Sequence, residues 1–251
     1  MDSWLDPVKT EISLNNGFVL LTIIATKGST PCTNGDKIVF TKNENSFGSI
    51  GGGNLEFKSL AFAKEMLGQK MNTRQLVKYP LGATLGQCCG GYVKVLFESF
   101  IDDDEDLSHN NSWIEQVSAL YKKGEDFILA TIIDIDKKNH SSTQKCIYTN
   151  NNFYSSLGNK KLSNFIEESA SNLMQSAQSP TIVEFEDDSE TKAQVLLEKV
   201  NSSEVLPVVV FGAGHISRAL MPIIINLPIK LYWIDDRQEQ FDQYVGDTSQ
   251  I

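Results

Sequence analysis

Histidine is scarce in this chain: His109, His140 and His215 are the three present, too far apart to mark a histidine-built metal centre. Cysteine is scarce too. Cys32, Cys88, Cys89 and Cys146 lack the repeated pair spacing of a zinc site. No apolar run approaches the roughly 18 residues of a membrane span. The opening Met1-Asp2-Ser3-Trp4-Leu5-Asp6 is acidic and has no apolar core, so it does not read as an export signal, and reduced thiols in the cytoplasm are expected. Basic residues are outnumbered, 22 Lys and Arg against 32 Asp and Glu. The resulting net charge of −10 argues against nucleic acid and against an anionic membrane surface as partners. No Ser-His-Asp set, paired-carboxylate signature or HExxH motif is present, which points away from a hydrolase.

Glycine clusters, by contrast, stand out. The stretch Gly82-Ala83-Thr84-Leu85-Gly86-Gln87-Cys88-Cys89-Gly90-Gly91 sets two adjacent thiols in a loop between expected strands at 74–79 and 92–97. Neighbouring side chains on a strand face opposite ways, so both cannot enter one core from regular structure. A thiolate on an open, glycine-flanked loop suits a soft metal or a redox partner. A vicinal disulfide is the competing reading, and Gln87 offers an amide beside the thiols.

Two further glycine runs precede expected helices. Gly48-Ser49-Ile50-Gly51-Gly52-Gly53-Asn54-Leu55-Glu56 is either a tight turn or a nest of backbone N–H groups at a helix start, suited to phosphate or carboxylate. Asn54 is the alternative helix cap. Gly212-Ala213-Gly214-His215-Ile216-Ser217 is a G-x-G-x-x-G in which Ser217 replaces the last glycine. Asp235 follows near the end of the next expected strand, where an acidic residue meets a ribose hydroxyl in dinucleotide folds. Upstream, Gly28-Ser29-Thr30-Pro31 forms a turn after the apolar run 18–25, and Cys32 behind it is either a third site thiol or an inert filler.

The periodicities predict an α/β chain. Strands are expected at 18–25, 37–41, 74–79, 92–97, 127–135, 146–149, 153–155, 181–185 and 194–199, with helices at 55–68, 113–122 and 162–174. The acidic run 101–106 reads as a solvated loop. Asn201-Ser202-Ser203-Glu204 has linker composition and separates an expected domain 1–200 from a second, 205–251. The second opens as β-α-β, a strand at 208–211, a helix at 216–226 and a strand at 230–235, and reads as a Rossmann-like domain cut short. A half-built sheet of this kind is expected to dimerise or to exchange its amides quickly.

Together, Gly28-Ser29-Thr30-Pro31, Gly48 to Glu56, the Gln87-Cys88-Cys89-Gly90-Gly91 loop and Gly212-Ala213-Gly214-His215 occur in the order seen in the XdhC/CoxI family of accessory proteins for molybdenum hydroxylases, which the chain resembles. The resemblance implies an N-terminal mixed α/β domain of XdhC type and a Rossmann-like C-terminal domain. It implies a non-enzymatic chaperone that holds the molybdenum cofactor (molybdopterin) for sulfuration by a cysteine desulfurase and inserts it into xanthine dehydrogenase or a related molybdenum hydroxylase. It assigns cofactor binding to Cys89 first, as the residue meeting molybdenum, then to Cys88, Gln87, Gly51, Gly52, Gly53, Ser29 and Thr30. Where the family usually has Arg after the proline, this chain has Cys32. Two other readings stand beside it: an NAD(P)-dependent oxidoreductase built on Gly212, Gly214, His215 and Asp235, and a thiol-based redox or metal-binding protein.

Overall fold

The computed structural model describes residues 4–69, 73–82, 91–101, 112–135, 145–176, 179–188, 191–201, 206–225, 227 and 229–246. Chain contacts divide it into two compact units, 3–201 and 202–251.

In the first unit the apolar run Phe-Val-Leu-Leu-Thr-Ile-Ile becomes the centre of a sheet. Strand β1 (Phe18–Lys27) is buried along its first seven residues because both of its faces are covered. It pairs antiparallel with β2 (Lys37–Thr41) and β5 (Tyr92–Phe100); β3 (Ser46–Gly48) and β4 (Arg74–Pro80) complete the order β3-β2-β1-β5-β4. Val19, Leu21 and Ile23 face helix α2 (Gly53–Gly68), whose Leu55, Ala63 and Met66 recur at helical spacing and bury on that face with Val93, Val95 and Phe97. The alternate residues, Phe18 and Leu20, face a second sheet.

That second sheet runs β8 (Phe153–Tyr154), β7 (Lys145–Tyr148), β6 (Phe127–Ile135), β10 (Lys192–Val200), β9 (Thr181–Glu186). Helix α4 (Lys160–Met174) covers its outer face through Leu162, Ile166, Ala170 and Leu173. The unit is therefore layered helix, sheet, sheet, helix. Helices α1 (Leu5–Ser13) and α3 (Ser112–Lys123) add Trp4, Val8, Trp113 and Val117 to the core between the sheets, where Phe18, Leu20 and Phe100 meet Phe127 and Leu129. Helix α1 lies where the sequence reading placed no element.

The second unit is a parallel pair, β11 (Leu206–Phe211) and β12 (Ile229–Ile234), joined through α5 (His215–Ile224) and followed by α6 (Gln238–Asp242). This is the β-α-β expected from the sequence. Phe211, Ile216 and Ile223 stay exposed, Phe211 at 79%.

Candidate functional site

The cysteine loop rises from a closed neck. Beyond the last β4–β5 pair, Pro80 with Tyr92, the Leu81 N–H donates to the Gly91 carbonyl at 2.9 Å. Residues 83–90, with Gln87, Cys88 and Cys89, lie outside the described residues. The β1–β5 ladder continues past a bulge at Ile24 to pair Lys27 with Tyr92, which carries the turn after β1 alongside the neck. Gly91 there permits backbone-to-backbone approach: a Cβ on it would collide with the Lys27 carbonyl oxygen and lie 2.8 Å from that of Ser29. Beside the neck, the Lys78 ammonium sits over the Tyr92 ring at 4.0 Å.

The turn itself is held from within. Thr30 Oγ1 donates to the Cys32 carbonyl at 3.0 Å, and the Asp36 carboxylate accepts from the Thr33 N–H at 2.8 Å and its hydroxyl at 2.9 Å. Gly28 and Ser29 are exposed, whereas Thr30 is half-buried. Cys32 points the other way, 7% exposed among the residues under α2. Burial first, and the Asp36 carboxylate second, push its thiol up to about 11. Of the two readings left open for Cys32, the structure supports the filler: a buried, protonated thiol is neither ligand nor nucleophile.

The second glycine run touches the first. A Cβ on Gly51, which has φ +100°, would lie 2.8 Å from the Pro31 carbonyl oxygen. Its amides converge on a carboxylate, as the nest reading expected, but the carboxylate is the chain's own. Glu56 Oε2 accepts from the Ser49 hydroxyl at 2.9 Å, the Ile50 N–H at 3.3 Å and the Gly52 N–H at 3.2 Å. Glu56 lies in the first turn of α2, where the helix dipole also favours negative charge. Asn54 is not the cap: the N-cap is Gly52, at φ +71°. Ser49, Gly51 and Gly53 are exposed. Sequence reasoning missed Glu56; an acidic residue just inside a glycine-led helix start was the available signal.

Three motif segments thus meet at one exposed place, the turn 27–31, the loop 48–53 and the neck 81/91 from which the thiol loop springs. The other glycine motif lies in the second unit. Gly212 needs its left-handed φ of +91°, while a Cβ on Gly214 would meet nothing within 4 Å. His215 is exposed at the start of α5, and the Ser217 hydroxyl donates back to the Gly214 carbonyl at 3.0 Å. Asp235 is already engaged. It accepts from the Ala213 N–H at 2.6 Å and from the Arg237 N–H, Nε and Nη2 at 2.9, 3.0 and 3.0 Å. The Arg237 guanidinium, then the Ala213 N–H, hold its carboxyl well below the usual carboxylate range.

Among the described residues no group of three or more His, Cys, Asp or Glu side chains is placed to hold a metal ion, and no helix is long and apolar enough to cross a membrane. Residues 13–80 match the model of the XdhC and CoxI family, a span from the end of α1 to the end of β4 that includes two of the three converging segments. Among solved structures, a xanthine dehydrogenase from Bacillus halodurans is similar over 94% of this chain, with a TM-score of 0.59 and 17% identity. The chain spans 63% of that protein's length. A search of the curated proteins finds no match.

Proposed function

We propose, from the premise that residues 13–80 are a segment of the XdhC and CoxI family, that this chain is an accessory protein of a molybdenum hydroxylase. In this reading it holds the molybdenum cofactor, a cysteine desulfurase partner supplies the terminal sulfur, and the cofactor passes to a xanthine dehydrogenase or a related enzyme. The observation that carries the reading is the backbone contact of Gly91 with Lys27 and Ser29, which roots the thiol loop beside the two glycine-bearing family segments.

The donor set fits such a group. Cys89, supported by Cys88, offers soft sulfur to molybdenum. Ser29 would bring an exposed hydroxyl to the pterin's polar edge, and Gln87 an amide. When bound, the cofactor would supply a molybdenum centre open to sulfuration; the residues of this chain would bind and orient it. Thr30 contributes through its bond to the Cys32 carbonyl, which shapes the turn. Gly51 lets loop 48–53 approach Pro31 closely and Gly52 supplies a left-handed turn at φ +71°, with Glu56 bracing the loop from inside, so the cofactor phosphate is not required to fill the nest. An open loop cluster suits a protein that must release its ligand.

The test is molybdenum content per chain, with the thermal midpoint, for protein isolated from cells making molybdopterin. Cys89→Ala is expected to lose most of its molybdenum at an unchanged midpoint. Full occupancy in the variant overturns the assignment. The oxidoreductase reading stands second, because the β-α-β is present but Asp235 is engaged by Ala213 and Arg237.

A further inference from the structure

We infer that residues 4–101 and 112–200 are two copies of one module, clasped reciprocally through their sheet faces, and that the second serves the first as a built-in partner subunit. The element orders coincide: a helix, three strands, a helix and two strands, arranged in the sheets as β3-β2-β1-β5-β4 and β8-β7-β6-β10-β9. Equivalent helices bury equivalent positions. Leu55, Ser59, Ala63 and Met66 of α2 correspond to Leu162, Ile166, Ala170 and Leu173 of α4. Trp4, Leu5 and Val8 correspond to Trp113, Ile114 and Val117. Both leading helices end on a left-handed residue, Asn15 at φ 52° and Gly124 at φ 65°.

The contact between the modules repeats itself with the roles exchanged. Lys37, at the start of β2, pairs across the sheets with Glu198 on β10 at 2.5 Å. Lys145, at the start of β7, pairs with Glu98 on β5 at 2.9 Å. Each lysine also donates to the threonine opposite it on its own central strand, Thr22 at 3.0 Å and Thr131 at 2.8 Å. Each lies near its own module's tryptophan ring, Lys37 5.7 Å from Trp4 and Lys145 5.0 Å from Trp113, and the two rings stack on each other at 6.4 Å. Between the sheets Ile24 and Leu96 meet their counterparts Ile133 and Leu196. An interface in which residue i meets j and j meets i is the isologous geometry of a two-fold dimer. The first module carries both halves of the clasp, Lys37 and Glu98, so its sheet face fits a second copy of itself.

The copies differ at the site. In the first, 81–91 link the last two strands and include Cys88 and Cys89; in the second the link is the shorter 187–191, at whose ends the Asp187 N–H donates to the Thr191 carbonyl at 3.1 Å. The glycine N-cap of α2 is replaced in α4 by Asn159, whose side chain caps Leu162 at 3.1 Å. The two cysteines and the glycine-led helix start therefore belong to the first module and have no counterpart residues in the second.

The test uses the full chain with a specific protease site inserted between Asp104 and Glu105, in the segment joining the modules. After cleavage the two pieces are expected to co-elute at the size of the intact chain at micromolar concentration. Lys37→Glu should weaken their association at least a hundredfold, the effect of breaking a buried pair. Adding Glu198→Lys, which exchanges the charges across the interface, should restore co-elution, whereas adding Glu98→Lys should not. Should Lys37→Glu hinder folding, the uncharged pair Lys37→Met with Glu198→Leu should still co-elute after cleavage. Separation of the parent's pieces at micromolar concentration, or equal rescue by Glu198→Lys and Glu98→Lys, overturns the inference.

Discussion

Gly91 illustrates how much can rest on one missing Cβ. Its neighbours are carbonyl oxygens of Lys27 and Ser29, which cannot swing aside as a flexible side chain would. Gly91→Ala should therefore destabilise by about 1–3 kcal/mol, the usual range for overpacking. Gly82→Ala, at a position where a Cβ meets nothing within 4 Å, should change the urea midpoint little. Equal midpoints for the two variants would show that the neck tolerates being pushed open. Cys32 makes the opposite point, a thiol directly behind a glycine-bearing turn yet buried away from it. With its pKa at about 11 against 9.0, the thiolate is roughly a hundredfold rarer at pH 8 than for an ordinary cysteine. Native protein should alkylate there correspondingly slowly. The sign follows for stability: the folded pKa is raised, so the contribution is whole below pH 9.0 and is lost as the pH climbs to about 11.

At the scale of elements, two carboxylates hold the site's surroundings, one half-buried and one buried. Glu56 ties the loop 49–52 to the first turn of α2 by three accepted hydrogen bonds. Glu56→Ala should cost about 1–3 kcal/mol in chemical unfolding and raise amide exchange at Ile50 and Gly52, because their donors lose a partner. Unchanged exchange at both would mean that the glycine geometry alone holds the loop. The Lys145–Glu98 pair, 1% and 2% exposed, joins β7 to β5 between the sheets. Lys145→Met strands the Glu98 carboxylate in the core and should cost about 3–5 kcal/mol, while Lys145→Met with Glu98→Leu should recover most of it. A double variant no more stable than the single would show that the pair itself, not the avoidance of a lone charge, stabilises the sheets.

For the molecule as a whole, the question is what the second unit adds. It has the parallel strands and glycine turn of a dinucleotide fold, yet its acidic residue at the strand end is occupied by Arg237 and the Ala213 N–H. A ribose would have to displace contacts already made. Titration of the intact chain with NADH should show no saturable binding tighter than about 1 mM. Micromolar affinity would move the oxidoreductase reading ahead of the cofactor chaperone.

The amino-acid sequence by itself determined the long elements and the location of the motifs. The apolar run 18–25 made β1 readable as a strand, and helical spacing of apolar residues marked α2, α3 and α4; that both faces of β1 are covered came only with the structure. Glycine spacing marked the turn, the loop and the second unit's β-α-β for the same local reason, since φ > 0 is written into residue identity. Helix α1 escaped because its short segment, with Pro7 and few apolar residues, is helical chiefly through Leu5 and Val8 packing between the sheets. Only the tertiary structure decided that Glu56 fills the glycine nest, that Cys32 faces inward and that Asp235 is spoken for, because each depends on which group arrives from elsewhere in the chain. The duplication was equally hidden. Its shared residues, Trp4 with Trp113, Thr22 with Thr131, Lys37 with Lys145 and Glu98 with Glu198, are isolated identities set apart by links of unequal length, as between 81–91 and 187–191. A repeat is legible in sequence when its period is constant. Here its evidence is a crossed pair of ion pairs, which exists only once the two sheets have met.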